Sequence, residues 1–176
     1  MMEKIPKVMP KGMRALLYEG KNTLRFRTVP LPKIGTEDVL LCIRSVGICG
    51  TDLHIYHGGM DIPPGTILGH EFSGEIAKVG SRVKRLNVGD RVVAEHVIAC
   101  GACHYCKRGK PNLCLQAKVL GLHLPGALAQ YMRVPASLVH GIPPTVSFDE
   151  ASLIEPLAIA VYTASVAGYL LEKKVA

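Results

Sequence analysis

Four of the chain's six cysteines stand in the stretch CGACHYCKRGKPNLC, residues 100–114. Cys100, Cys103, Cys106 and Cys114 follow the spacing C-x2-C-x2-C-x7-C. Zinc takes four thiolates in a tetrahedron at about 2.3 Å, and turns with two intervening residues bring successive sulfurs to one point. Gly101 and Gly109 ease the turning. Four thiolates leave no vacancy for water or substrate, so the expected role of this clasp is structural, replacing a core that so small a lobe cannot build. Three cysteines spaced by threes are poorly placed to pair among themselves, which argues against disulfides. A redox C-x-x-C would not run directly into a third and fourth cysteine, and a nucleic-acid zinc ribbon needs two knuckles about 15 to 20 residues apart. His104 lies inside the clasp but is superfluous as a ligand.

A second group of residues carries different chemistry. GICGTDLHIYHGG (residues 47–59) and GHEFSGEIAKVG (residues 69–80) contain Cys49, His70 and Glu71 in glycine-rich corners where the backbone must turn and side chains can converge. Taken singly, Cys49 reads as core, His70 as a satisfied buried histidine and Glu71 as a surface charge. Taken together they are one soft and two harder metal ligands.

The elements that must position these groups are short and β-like. MRALLYE, LRFRTVP, DVLLCIRSV, EFSGEIAKV, DRVVAE and AQYMRVP are apolar-rich runs punctuated by Gly and Pro, and many short strands suggest a barrel. Val39, Leu41, Ile43 and Ser45 fall on one face of a strand, with Leu40, Cys42, Arg44 and Val46 on the other, so Cys42 reads as core or half-core. From Asp149 to Leu171 the period becomes helical, with Ser147 and Glu150 forming a capping-box pattern. PLAIAVYTASVAGYLL within it is uncharged but falls short of the roughly 20 residues a membrane span needs, and a buried helix is expected. The formal charge of +7 is scattered in ones and twos, with three phenylalanines and no tryptophan. That pattern fits surface solvation rather than nucleic-acid binding. No secretory leader is recognisable, residues 1–12 read as a solvated basic leader, and the cytoplasm is the expected compartment.

Gly69 to Val83 fits G-H-E-x2-G-x5-G-x2-V. Here the chain resembles the zinc-dependent alcohol dehydrogenases of the medium-chain dehydrogenase/reductase family, whose structural-zinc spacing the clasp also has. The resemblance runs from about Met13 onward and implies a mainly β catalytic domain, a GroES-like partly open β-barrel over residues 13–168, with a structural-zinc lobe at about 95–120. It implies two zinc ions, one in the clasp and one catalytic, the latter held by Cys49 and His70 with Glu71 a neighbouring carboxylate. Where many relatives supply a second cysteine, this sequence reads SLIEPLAIAV and offers Glu155. That makes it most similar to the sorbitol, polyol and threonine dehydrogenase branch, and leaves direct or water-mediated binding by Glu155 open. Thr51 matches the hydroxyl that contacts the substrate oxygen, His54 the outer end of a proton relay, and Asp52 a carboxylate behind the metal that can orient a ligating histidine. A helix-capping aspartate is the alternative reading of Asp52. His57, His96, His123 and His140 receive no role.

The implied cofactor, NAD or NADP, needs a Rossmann domain with G-x-G-x-x-G, and no such pattern occurs here. Residues 169–176, ending EKKVA, read as the first strand of that domain, with the helix leading into it. The expected function is thus the catalytic portion of a zinc-dependent, NAD(P)-linked alcohol or polyol dehydrogenase, inactive alone and homo-oligomeric at full length. The competing class is a non-enzymatic zinc scaffold or interaction module. Relatives without zinc, such as quinone reductases, generally lack the clasp and the Cys49/His70 pair.

Overall fold

The structure, a computed structural model, describes residues 5, 6 and 8–167. β1 (Gly12–Gly20) and β2 (Thr23–Pro30) form an antiparallel hairpin in which Leu16 faces Phe26, and β4 (Thr66–Ile67) pairs with the other edge of β1. A second sheet runs β10 (Val139–Gly141), β6 (Arg91–Ala94), β5 (Glu71–Val79), β3 (Asp38–Gly47), β9 (Tyr131–Pro135), each neighbour antiparallel. The two sheets meet where β1 runs beside residues 128–130. The Leu16 N–H donates to Leu128 O at 2.8 Å, the Gln130 N–H donates to Arg14 O at 3.0 Å, and Ala15 bridges Ala129. This seam curls the sheets into the expected partly open barrel.

The period-2 pattern of β3 explains the barrel's two fillings. Val39 and Leu41 pack with Phe72, Ile76, Val92, Met132 and Val134, while Leu40 turns the other way to Met13, Ala15, Ile67 and Tyr131. Register shifts at Leu40/Leu41 and Ile43/Ser45 mark bulges, and past the second of them Val46 joins Ile43 on the first cluster. Cys42 packs against the second cluster, as expected. Ile5 and Met9 also pack there, so part of the segment read as a solvated leader covers apolar surface.

β7 (Val97–Ile98) and β8 (Lys118–Val119) form a two-stranded stem, and the cysteine clasp is the loop it carries. Among the described residues three α-helices join the sheets: α1 (Gly50–Tyr56), α2 (Phe148–Ser152) and α3 (Ile154–Ala167). The expected capping box is present, since the Glu150 N–H donates to Ser147 Oγ at 3.2 Å and the Ser147 N–H to Glu150 Oε2 at 2.8 Å. The single helix expected from Asp149 is instead broken at Leu153. Pro156 has no N–H to give the Ser152 carbonyl, so one continuous ladder cannot pass this point.

The buried-helix expectation is overturned. No described residue of α3 is buried, and Leu157, Ile159, Val161, Tyr162 and Val166 are all exposed. Low polarity marked a helix that needs cover, but no second layer among the described residues supplies it. Among those residues no helix is long and apolar enough to cross a membrane. The helical reading beyond Ala167 and the strand reading of 169–176 lie outside the described residues.

Candidate metal centres

β3 ends at Gly47 directly opposite Glu71, the first residue of β5. Cys49, two residues past β3, and His70, one residue before β5, therefore arrive at the same end of the barrel. The approach is tight: a Cβ on Gly47 would run into Glu71 Oε2. Gly69 adopts φ 91°, a left-handed conformation open to glycine, and turns the chain so that His70 faces inward.

Cys49, in extended conformation at φ −75° and ψ 154°, is the N-cap of α1. Asp52, only 4% exposed, is its third helical residue. Its Oδ2 accepts the Cys49 N–H at 2.9 Å and its Oδ1 the Gly69 N–H at 3.3 Å. One buried carboxylate thus clamps both ligand-bearing corners by their backbones. The expectation that Asp52 orients a histidine ring is corrected: it holds main chain, and the capping alternative describes half of what it does. A negative charge in the first turn of a helix is also favoured by the helix dipole.

The outcome is that one ligand atom each from Cys49, His70 and Glu71 lies within 4.8 Å of the others. His70 and Glu71 are buried, and His70 Nδ1 has no hydrogen-bond partner. An unsatisfied buried nitrogen costs about 1–3 kcal/mol. A thiolate, an imidazole and a carboxylate converging on one point, with that nitrogen unpartnered, fit a zinc ion with three protein ligands and a remaining open position.

Glu155 lies beside this trio rather than in it. Its Oε1 is 3.3 Å from His96 Nδ1. Burial raises the Glu155 pKa; the charge of His70 opposes the rise and that of Glu71 adds to it, which places the carboxyl within electrostatic reach of both. The His96 ring stands 5.3 Å from that of His70. Burial lowers the His96 pKa, His70 lowers it further, and Glu95 pulls the other way. Thr51 and His54 both ride on α1, half-buried and exposed respectively, one turn apart. The His54 ring occupies the space that a Cβ on Gly59 would need.

Two features escaped the sequence reading. In the sequence α1 reads only as a corner, although an acidic residue in its first turn, Asp52, and the glycines at 58 and 59 are start and stop signals. His96 was given no role. Its only signal was a polar residue four positions ahead of Cys100, which marks nothing without the third dimension.

The clasp is a separate centre. The Cys103–Cys106 and Cys100–Cys106 sulfurs are 3.5 Å and 4.0 Å apart, and one sulfur from each of the four cysteines fits within 4.8 Å. Tetrahedral zinc with four sulfurs sets neighbouring sulfurs about 3.8 Å apart, whereas a disulfide needs about 2.05 Å. Backbone N–H groups of Cys103, Cys100 and Gln116 donate to the sulfurs of Cys100, Cys114 and Cys114 at 3.3, 3.2 and 3.4 Å. Backbone donors at Cys106 and Leu115 bring the Cys103 thiol down to about 6, while burial and then the neighbouring Cys103 sulfur push Cys106 up to about 12. Four sulfurs at this spacing fit a shared cation, which would favour the thiolate form of each.

Among the described residues the β-barrel domain carries a cluster of four cysteines and a mixed cluster of Cys49, His70 and Glu71, each able to hold a metal ion. The chain belongs to the alcohol dehydrogenase GroES-like domain family, whose model matches residues 35–144. It is 39% identical over 161 residues to a sorbitol dehydrogenase of Bacillus subtilis (strain 168), covering 89% of this chain and 46% of the relative. An L-threonine 3-dehydrogenase of Salmonella arizonae is 41% identical over 140 residues, 77% of this chain and 41% of that protein. The fold matches a solved short chain alcohol dehydrogenase from E. coli CFT073, in complex with the cofactor NADH, with TM-score 0.81 and 38% identity over 86% of this chain and 44% of that one. The chain thus spans about half the length of the curated relatives it matches.

Proposed function

We infer that this chain supplies the metal-holding, alcohol-binding half of a zinc-dependent, NAD(P)-linked alcohol or polyol dehydrogenase. The observation that carries the reading is the convergence of Cys49, His70 and Glu71 around the unpartnered His70 Nδ1. The names of the similar proteins, a sorbitol and a threonine dehydrogenase, support a secondary alcohol flanked by polar groups as substrate. Zinc, when bound, supplies Lewis-acid polarisation of the substrate hydroxyl. Cys49 and His70 hold the ion, Glu71 completes the set, and Glu155 contributes directly or through water. The Thr51 hydroxyl accepts the substrate's proton while donating its own onward, and His54 releases a proton to solvent. A bound nicotinamide would supply the hydride acceptor for the carbinol carbon, and this reading assigns its site to a part of the protein that these residues do not span. A cytoplasmic homo-oligomer is the accompanying expectation.

Metal-edge anomalous diffraction from zinc-loaded crystals tests the reading. Two peaks per chain are expected, one among the four clasp sulfurs and one between Cys49 and His70. A clasp peak alone would overturn it. The 176 residues by themselves should show no NAD(P)-dependent oxidation across a panel of alcohols and polyols.

A further inference from the structure

The clasp and the open centre are joined by helix α3. The stem that carries the clasp begins immediately after His96, and the Leu120 N–H on the returning side donates to His96 O at 2.9 Å. His96 is therefore fixed by both legs of the clasp loop, and its ring nitrogen meets Glu155 at 3.3 Å. At the far end of the loop a 3-10 turn, Pro111–Leu113, leads into Cys114, whose N–H donates to Pro111 O at 3.0 Å. From that turn the Asn112 side-chain amide donates to the Tyr162 hydroxyl at 3.3 Å. Glu155 and Tyr162 are seven residues apart on α3, so they share one face, about 10.5 Å apart along the axis. Between the two contacts the lobe and the helix form walls of one cavity of about 270 Å³ that includes Pro111, Asn112, Glu155 and Ala158.

We propose that the four-cysteine lobe grips α3 at two points on one helical face, His96 on Glu155 and Asn112 on Tyr162, and that this grip sets where Glu155 stands at the open centre. Asn112 and Tyr162 are positioning residues: they touch neither ligand set and act through the helix. α3 has no buried residue among those described, so its orientation depends on few anchors. The hydrogen bond from Ser73 Oγ to Phe148 O, 2.6 Å, holds α2, the short helix before the break, and not α3 itself. The lobe supplies the pair on the Glu155 face. The clasp is then more than a local fastening, because opening it releases both contacts together. This inference rests on the reading that Cys49, His70 and Glu71 hold a metal with Glu155 beside it.

Cobalt(II) titration of the intact chain tests it through the visible absorption band that His70→Ala abolishes, a readout independent of turnover. Tyr162→Phe and Asn112→Ala are expected each to weaken cobalt binding in that band about threefold to tenfold, the size of one lost hydrogen bond, and to shift the band. Combining the two should add little to either, and neither should matter further in a Glu155→Gln background. Unchanged affinity and band in both single variants would overturn the grip, as would the same loss persisting with Glu155→Gln. If the parent shows no His70-dependent band, the open-centre reading itself falls and takes this inference with it. A normal band in the parent with insensitive variants sinks the grip alone.

Discussion

The two centres differ in how the chain reaches them. The clasp draws all its ligands from fifteen consecutive positions, 100–114, through tight turns and backbone N–H donors to sulfur. The open centre draws Cys49 and His70 from either side of a β-ladder and needs a buried carboxylate, Asp52, to tie the two corners. Local ligands make a site that needs only its own loop to form, although its loss also frees the contacts of His96 and Asn112 with α3. Ligands brought together by the sheet make a site whose geometry depends on the barrel, which suits a centre that must hold a fixed shape while leaving one position open.

Substitutions at the two centres should separate sharply. Cys103→Ala is expected to have the largest effect, loss of one zinc and of hydrogen-exchange protection over about residues 95–120. Zinc binding to small structural sites is worth about 10–16 kcal/mol and is folding energy there. His70→Ala should lose the other zinc with the barrel intact, read as a fall from two to one equivalents by metal analysis. If both variants empty the same site, the division into two centres is wrong.

Asp52→Ala sharpens the contrast from the backbone side. It leaves the N–H groups of Cys49 and Gly69 without their acceptor, and about 1–3 kcal/mol of stability should be lost in urea unfolding, together with weaker metal binding at the open centre only. An equal loss of clasp zinc would contradict this.

The clasp was legible because its information is local: spacing and residue type alone give the tetrahedral set. Cys49, His70 and Glu71 became a group in the sequence only through the G-H-E motif and the resemblance it carries, since what unites them is the Gly47–Glu71 register, a long-range fact. The longer strands of the two main sheets could be read from alternation and turn residues, but β4 and β10, two and three residues long, are too short to show an alternation. α3 could be read as helix but not as exposed, because apolar composition states a need for cover and is silent on whether cover is present. His96 was invisible for the opposite reason. A single polar residue gains meaning only when a ring 5.3 Å away and a carboxylate 3.3 Å away are known.

The smallest expected effects lie at the N-cap of α2, which supplies no ligand to either centre. Ser147→Ala removes the cap and should cost about 1 kcal/mol by thermal unfolding. Hydrogen bonds from the Ser147 hydroxyl and then its N–H hold the Glu150 pKa below its ordinary value of 4.5. A depressed carboxyl stabilises the fold above its unfolded pKa, and that contribution disappears as pH falls through the folded value. A Glu150→Gln variant should therefore be slightly less stable than the parent near neutrality and indistinguishable from it in strong acid. A gap that widens on acidification would refute the assignment.

The seam at Ala15 and Ala129 has a consequence for biosynthesis. Its partners are separated by most of the described chain, so on the ribosome the barrel cannot shut until residue 129 has emerged, and contacts of such long range form slowly. By then the 100–114 loop is already outside the exit tunnel and needs nothing distant to take up an ion. Metal delivery to the nascent polypeptide would thus begin at the lobe, while the other centre waits for the wall that frames it.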